Sequence, residues 1–249
     1  EADRMLDMGF IVDIKKIIHH IPAQRQTIFF AATTTPEIKK LAHTILINPV
    51  HIDIEPQESV VDVIHKLYYV DKSDKSKLLS HIIEQANIFN ALVFTRTKRG
   101  AERLAKDLKH AGINSDAIHG DKSQQARQKA LNNFKQNRTK ILVATDVASR
   151  GIDIKQLAYV INFDLPESSD TYTHRIGRTG RAGASGIAIS FCSADERAYL
   201  KPVLRMFPNI IVEEHPFKKS PPVDLSGSSK SYSRAGQNKM RKKFFGSKS

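Results

Sequence analysis

Apolar and polar residues recur along this chain at two periods, and the switch between them marks its elements. Between about Val60 and Val212, short apolar runs rich in β-branched residues alternate with stretches in which apolar residues return every three or four positions. The runs are Leu67-Tyr68-Tyr69-Val70, Ala91-Leu92-Val93-Phe94, Ile141-Leu142-Val143-Ala144, Tyr159-Val160-Ile161-Asn162 and Ile187-Ala188-Ile189-Ser190-Phe191. They are near-continuously apolar, as strands covered on both faces must be. The amphipathic stretches, residues 76–85, 100–111 and 124–134, read as helices between them. This order predicts an α/β fold with a doubly wound parallel sheet. Ligands of such sheets bind beyond the carboxyl ends of the strands. Residues 95–97, His119-Gly120-Asp121 and Thr145-Asp146 fall there.

The first 56 residues have a different pattern. They offer a helix at 11–20, a strand at 27–32, a helix opened by Pro36 behind Thr34-Thr35, and a strand at 50–55. Two helices and two strands make a poor independent core, so residues 1–56 read as the end of another domain. Residues 57–216 form the main domain. Residues 217–249, rich in Ser, Gly, Lys and Arg, read as a disordered basic tail.

Charge sharpens this division. The chain carries 39 Lys and Arg against 26 Asp and Glu, a net of +13. From Lys218 onward there are nine Lys or Arg and one Asp, so most of the excess sits in the tail and points to nucleic acid or another polyanion. No apolar run reaches the roughly 18 residues of a membrane span. No signal segment opens the chain, and no cysteine pair or histidine spacing makes a metal site. Cys192 ends an apolar run and reads as a small buried hydrophobe, which fits a reducing compartment. His19-His20 reads as a helix end.

The densest chemistry is His174-Arg175-Ile176-Gly177-Arg178-Thr179-Gly180-Arg181. Three arginines spaced by three would share one helix face, where like charges repel unless an anion is present. Guanidinium forks match phosphate oxygens. Gly177 and Gly180 leave room for close approach.

Six motifs in order resemble the C-terminal part of a DEAD-box ATP-dependent RNA helicase, with the bacterial RhlE-type subgroup the nearest in wording. Glu1-Ala2-Asp3 is similar to the last three letters of the Asp-Glu-Ala-Asp motif, and Phe30-Ala31-Ala32-Thr33 to the Ser-Ala-Thr motif. Val93-Phe94-Thr95-Arg96-Thr97-Lys98 follows. Next come His119-Gly120-Asp121 with Gln124-x-x-Arg127, and then Ala144-Thr145-Asp146-Val147-Ala148-Ser149-Arg150-Gly151-Ile152-Asp153. The arginine octad is the sixth. The resemblance covers residues 1–216 and implies a RecA-like helicase C-terminal domain preceded by a remnant of the first RecA-like domain.

The resemblance also implies roles. Glu1 would activate water, and Arg178 and Arg181 would reach the γ-phosphate of ATP. Gly151 and Asp153 would hold the nucleotide. Asp3, Ala31, Thr33, Asp146, His174 and Arg175 would couple the two domains, Arg175 through an ion pair with the Asp146 or Asp153 segment. Asp146 would also cap the helical turn it opens, one oxygen serving each role. Thr97, Gly120, Lys122, Arg127 and Thr145 would grip the RNA backbone. Contacts of that kind do not read bases, and the absence of tryptophan argues against a base-stacking platform. The implied cofactors are ATP and Mg2+, the metal held outside this fragment. The implied partners are RNA and ribosomal or degradation-related RNA–protein complexes in the cytoplasm, with no membrane.

Two departures qualify the resemblance. The 249 residues contain no G-x-x-x-x-G-K-[ST] phosphate loop, so this polypeptide alone is expected to hydrolyse no ATP. Ala31 stands where the family has a serine, and an alanine cannot make the hydroxyl bond expected toward Asp3. Two other readings remain open on sequence alone: a non-catalytic RNA-binding module, and a DNA helicase of the same superfamily.

Overall fold

The apolar runs of the main domain become strands of one parallel sheet. A computed structural model of the chain describes residues 2–7, 9–32, 34–54, 63–149, 154, 157–180 and 186–218. The chain divides into two compact units, Glu1–Gln57 and Glu58–Ser249.

The first unit holds α1 (Ala2–Asp7), α2 (Ile11–His20) and α3 (Pro36–Ile45). α3 starts as its sequence requires. Thr35 accepts the Ile38 N–H at 3.3 Å, and Pro36 takes the first helical position, where no N–H is needed. His19 and His20 lie in the last turn of α2. The strands expected at 27–32 and 50–55 do not form over the described residues. A strand persists only through a ladder partner, and no described residue supplies one. Ile28, Phe30, Val50 and Ile52 are accordingly exposed.

The second unit holds β1 (Val63–Tyr69), β2 (Ala91–Phe94), β3 (Ser115–Ile118), β4 (Ile141–Ala144), β5 (Tyr159–Asn162), β6 (Gly186–Cys192) and β7 (Ile211–Val212). They pair in the order β3-β4-β2-β5-β6-β1-β7, every ladder parallel. The helices are α4 (Lys75–Gln85), α5 (Lys98–His110), α6 (Gln124–Lys135), α7 (Asp146–Ser149), α8 (Ser169–Ile176) and α9 (Arg197–Met206). α5, α6 and α8 are each opened by a hydroxyl that accepts the N–H three residues on: Thr97 from Gly100, Ser123 from Ala126, Ser168 from Thr171.

Both faces of the sheet are covered, which explains the near-continuous apolar runs. Val93, Ile141 and Val143 pack with Leu78, Leu79, Leu104 and Leu108 of α4 and α5. Leu92, Phe94 and Leu142 pack with Phe134 of α6 and with Ala148 and Leu157. A third cluster joins Leu67 and Ala188 to Tyr172 of α8 and to Leu200 and Val203 of α9. Each fully buried Val, Leu, Ile or Phe among them contributes about 1.5–3 kcal/mol by leaving water. Cys192 belongs to this third cluster. Burial pushes its thiol up to about 12, so it packs as an inert hydrophobe.

Candidate functional site

In a parallel sheet all carboxyl ends share one edge. That edge therefore carries residues 95–97 after β2, 119–122 after β3, Thr145 and Asp146 after β4, 163–165 after β5 and Ser193 after β6. The chain places β3 and β4 on one side of β2, then β5 and β6 on the other. β2 is the topological switch point, where such sheets bind ligands.

At the switch point Arg175 is only 3% exposed. Its Nε donates to Asp146 Oδ1 at 2.7 Å and its Nη2 to Asp146 Oδ2 at 2.8 Å. Nη1 donates to Asn162 Oδ1 at 3.0 Å and to the Asp164 carbonyl at 2.7 Å. The Phe94 ring lies 4.9 Å below the guanidinium. The guanidinium is fully paired within the second unit. The ion pair with the Asp146 segment forms. Both carboxylate oxygens of Asp146 accept from Arg175.

The helix that carries Arg175 stops before Arg178. α8 ends at Ile176, Gly177 closes it with φ −62°, and Arg178 lies beyond the helix, half-buried. The amide of Arg178 bonds the Arg175 carbonyl at 3.2 Å, and its carbonyl accepts from Leu157 N at 3.2 Å. Gly180 takes φ +67°, so its glycine serves a left-handed turn. Gly186 is required by space: a Cβ there would lie 2.1 Å from Thr179 Oγ1 and 2.6 Å from Gly180 N. His174 is exposed on α8, outside any core.

The loops assigned to RNA hold their cations in local pairs. Lys98 contacts Asp121 at 2.6 Å, and Lys122 contacts Glu102 at 3.1 Å. His119 donates from Nε2 to the same Glu102 oxygen at 3.0 Å. That hydrogen bond, and then the one from Lys122, hold the Glu102 carboxyl below its ordinary range. Lys98 does the same for Asp121. Thr97 and Gly120 are exposed, whereas Thr145 is buried at the end of β4. Arg127 donates to Gln124 Oε1 at 3.3 Å and to the Ala148 carbonyl at 3.4 Å.

In the first unit, Asp3 is buried and its Oδ2 accepts the Ala32 N–H at 3.2 Å, while the Ala31 side chain faces solvent. Glu1, Thr33, Gly151, Asp153 and Arg181 lie outside the described residues, as does the tail beyond Lys218. Of the groups assigned to ATP, Arg178 alone is described. The described residues bring together no three His, Cys, Asp or Glu side chains that could hold a metal ion. No helix of the structure is long and apolar enough to cross a membrane, among the described residues.

Lys75, Asp164 and Glu196, buried or half-buried at the same edge, escaped the sequence reasoning. One signal was present: Ser193-Ala194-Asp195-Glu196 is a capping box, Ser193 and Glu196 satisfying each other's backbone.

Comparison with known proteins gives these features a context. Residues 74–183 match the helicase conserved C-terminal domain, and residues 1–41 match the DEAD/DEAH box helicase model. The chain is 42% identical over 204 residues to the DEAD-box ATP-dependent RNA helicase CshA of Bacillus licheniformis, covering 82% of this chain and 42% of that protein. It is 40% identical over 207 residues to the DEAD-box ATP-dependent RNA helicase RhpA of Helicobacter pylori, covering 83% of this chain and 42% of that protein. The chain thus spans a little over two fifths of these curated relatives. Among solved structures, the E. coli DEAD-box protein SrmB bound to regulator of ribonuclease activity A matches with a TM-score of 0.58 and 38% identity, covering 64% of this chain and 98% of that one. S. cerevisiae Dbp5 bound to RNA and ADP BeF3 matches with a TM-score of 0.73 and 30% identity, over 87% of this chain and 58% of that one. A doubly wound parallel sheet with the buried Arg175–Asp146 pair at its switch point, matched at this identity, makes the chain a member of the DEAD-box ATP-dependent RNA helicase family, comprising its RecA-like helicase C-terminal domain and the end of its DEAD-box domain.

Proposed function

We propose that this chain supplies the second half of an RNA-stimulated ATPase that opens short RNA duplexes. Arg178 and Arg181 neutralise the γ-phosphate, Glu1 activates the attacking water, and Gly151 and Asp153 hold the nucleotide. Magnesium bound with ATP offsets charge on the β- and γ-phosphates. Thr97, Gly120, Lys122, Arg127 and Thr145 hold one RNA strand by its backbone. Asp3, Thr33, Asp146, His174 and Arg175 relate the two events, and Ala31 weakens that link because it lacks the serine hydroxyl. The setting is cytoplasmic and the substrates are RNA or RNA–protein complexes. The RhlE-type wording of the motifs belongs to the same proposal.

One observation carries this reading. The loops with the assigned RNA residues and the Arg175–Asp146 pair leave the same sheet edge, with Arg178 three residues beyond Arg175. Phosphoryl transfer needs such an arginine, worth about 10³–10⁵ in rate. In an enzyme carrying this segment together with a complete ATP-binding domain, Arg178→Ala is expected to slow RNA-stimulated phosphate release by about 10³ or more while RNA affinity holds. Unchanged release would refute the finger role. Equal binding of unrelated single-stranded RNAs is also expected, and strong sequence preference would refute backbone gripping.

A further inference from the structure

Lys75 and Glu196 make a buried ion pair at 2.6 Å, with side chains 1% and 3% exposed. Removing both charges from water is unfavourable unless further hydrogen bonds complete the geometry, and an apolar pair of similar volume would stabilise as well or better. Here the further bonds are present, and they lead to different strand-end loops. Glu196 Oε2 accepts from Ser193 N at 3.1 Å and Ser193 Oγ at 2.9 Å, after β6. Oε1 accepts from Leu165 N at 3.1 Å, after β5, and from Arg96 Nη2 at 3.4 Å, after β2. Lys75 Nζ donates to the Phe163 carbonyl at 2.7 Å and reaches Asp164 Oδ1 at 3.4 Å.

The chain of contacts continues toward the proposed site. Asp164 Oδ2 accepts the Arg96 amide at 2.9 Å, one residue before Thr97. The Asp164 carbonyl accepts from Arg175, which grips Asp146 next to Thr145. Arg96 also donates to the Leu165 carbonyl at 3.2 Å and stacks on Tyr199 at 4.9 Å. A pocket of about 480 Å³ opens beside the pair, but its rim cations are matched by carboxylates, Lys72 by Asp195 at 3.1 Å and Arg103 by Asp107 at 4.0 Å. The arrangement therefore serves the loops rather than a small anion.

We infer that Glu196 and Lys75 are positioning residues that lock the loop after β2, with Thr97, and the loop after β5, on which Arg175 bears, into one frame. The RNA side and the phosphate side of the domain then hold a fixed relation. The functional half rests on the roles proposed above for Thr97 and Arg178. The mechanical half, one frame held by one carboxylate, stands independently of them.

Hydrogen exchange in the 249-residue chain labelled with nitrogen-15 tests both halves. Glu196→Gln keeps the side-chain size and removes the charge. It is expected to speed exchange of the Arg96 amide and the Arg175 Nε–H about tenfold relative to Ile118 in β3, a local opening with the sheet intact. Binding of a fluorescent oligouridylate is expected to weaken by about fivefold, since one lost charged hydrogen bond is transmitted to several loop contacts. Ser193→Ala, which removes one hydroxyl contact to Glu196, gives the same pattern at smaller amplitude and decides the matter if Glu196→Gln does not fold. Exchange that rises equally in β3 and in the loops would make the pair a stabiliser only and overturn the inference. Loosened loops with unaltered oligouridylate binding would uphold the frame and overturn its link to RNA.

Discussion

Arg175 shows how a cation is kept inside a protein. Desolvating a guanidinium is unfavourable, and only complete pairing offsets it. The fork of Arg175 meets both oxygens of Asp146 while its remaining nitrogen meets Asn162 and Asp164. Lysine has the charge but not the planar fork, and its ammonium cannot reach all these acceptors. Arg175→Lys is therefore expected to cost about 1–3 kcal/mol, because it leaves a half-buried carboxylate and a buried amide oxygen poorly matched. Urea unfolding should show this as a lower midpoint with an unchanged m-value; a midpoint within error of the parent would show that the acceptors rehydrate freely. Arg178, three residues on, lies past the end of the helix, so the helical spacing that would set it on one face with Arg175 stops short of it.

At the scale of elements, α5 and the loop between β3 and α6 are joined through Glu102. Its carboxylate accepts from His119 and contacts Lys122. These contacts depress its folded pKa, so the stability they give is full above the unfolded value of about 4.3 and is lost as pH falls through the folded value. Glu102 is 41% exposed, and solvent screening limits the effect to roughly 1 kcal/mol or less. Glu102→Gln should flatten the acid limb of stability below about pH 4.3 and, by releasing Lys122 for phosphate, strengthen RNA binding. Weaker RNA binding would instead make Glu102 a support for the loop. Legibility followed the same physics. β2, β4 and β5 were readable because every residue but Asn162 is apolar and both faces are covered. The bounds of β3 were not, since Ser115-Asp116-Ala117-Ile118 is polar at a sheet edge, with Ser115 bonded to Ala105 O and Asp116 to Thr139. Residues 27–32 have a strand's pattern without a partner. The arginines of the site were visible as charge, whereas Lys75 and Glu196 look like ordinary surface residues until tertiary packing buries them.

Over the whole molecule, positive charge is distributed unevenly. In the described part of the second unit most lysines near the strand ends have a carboxylate: Lys72 with Asp195, Lys75 with Glu196, Lys98 with Asp121, Lys122 with Glu102 and Lys218 with Asp71. Beyond Lys218 come eight Lys or Arg and one Asp. Sequence-tolerant affinity for RNA should therefore come mainly from residues 219–249, with the sheet edge supplying register. If about six tail charges meet phosphates, log K should fall with log[salt] at a slope near −4 for single strands. A chain ending at Lys218 keeps the Lys218 carbonyl on the Asp71 amide and the Lys218–Asp71 ion pair, so the fold should survive the cut. Its slope should shrink toward that of the few loop contacts, with affinity falling most at low salt. Titrating both chains with the same single-stranded RNA across salt concentrations decides the matter: parallel lines would mean that the tail does not touch RNA and that its charge serves solubility.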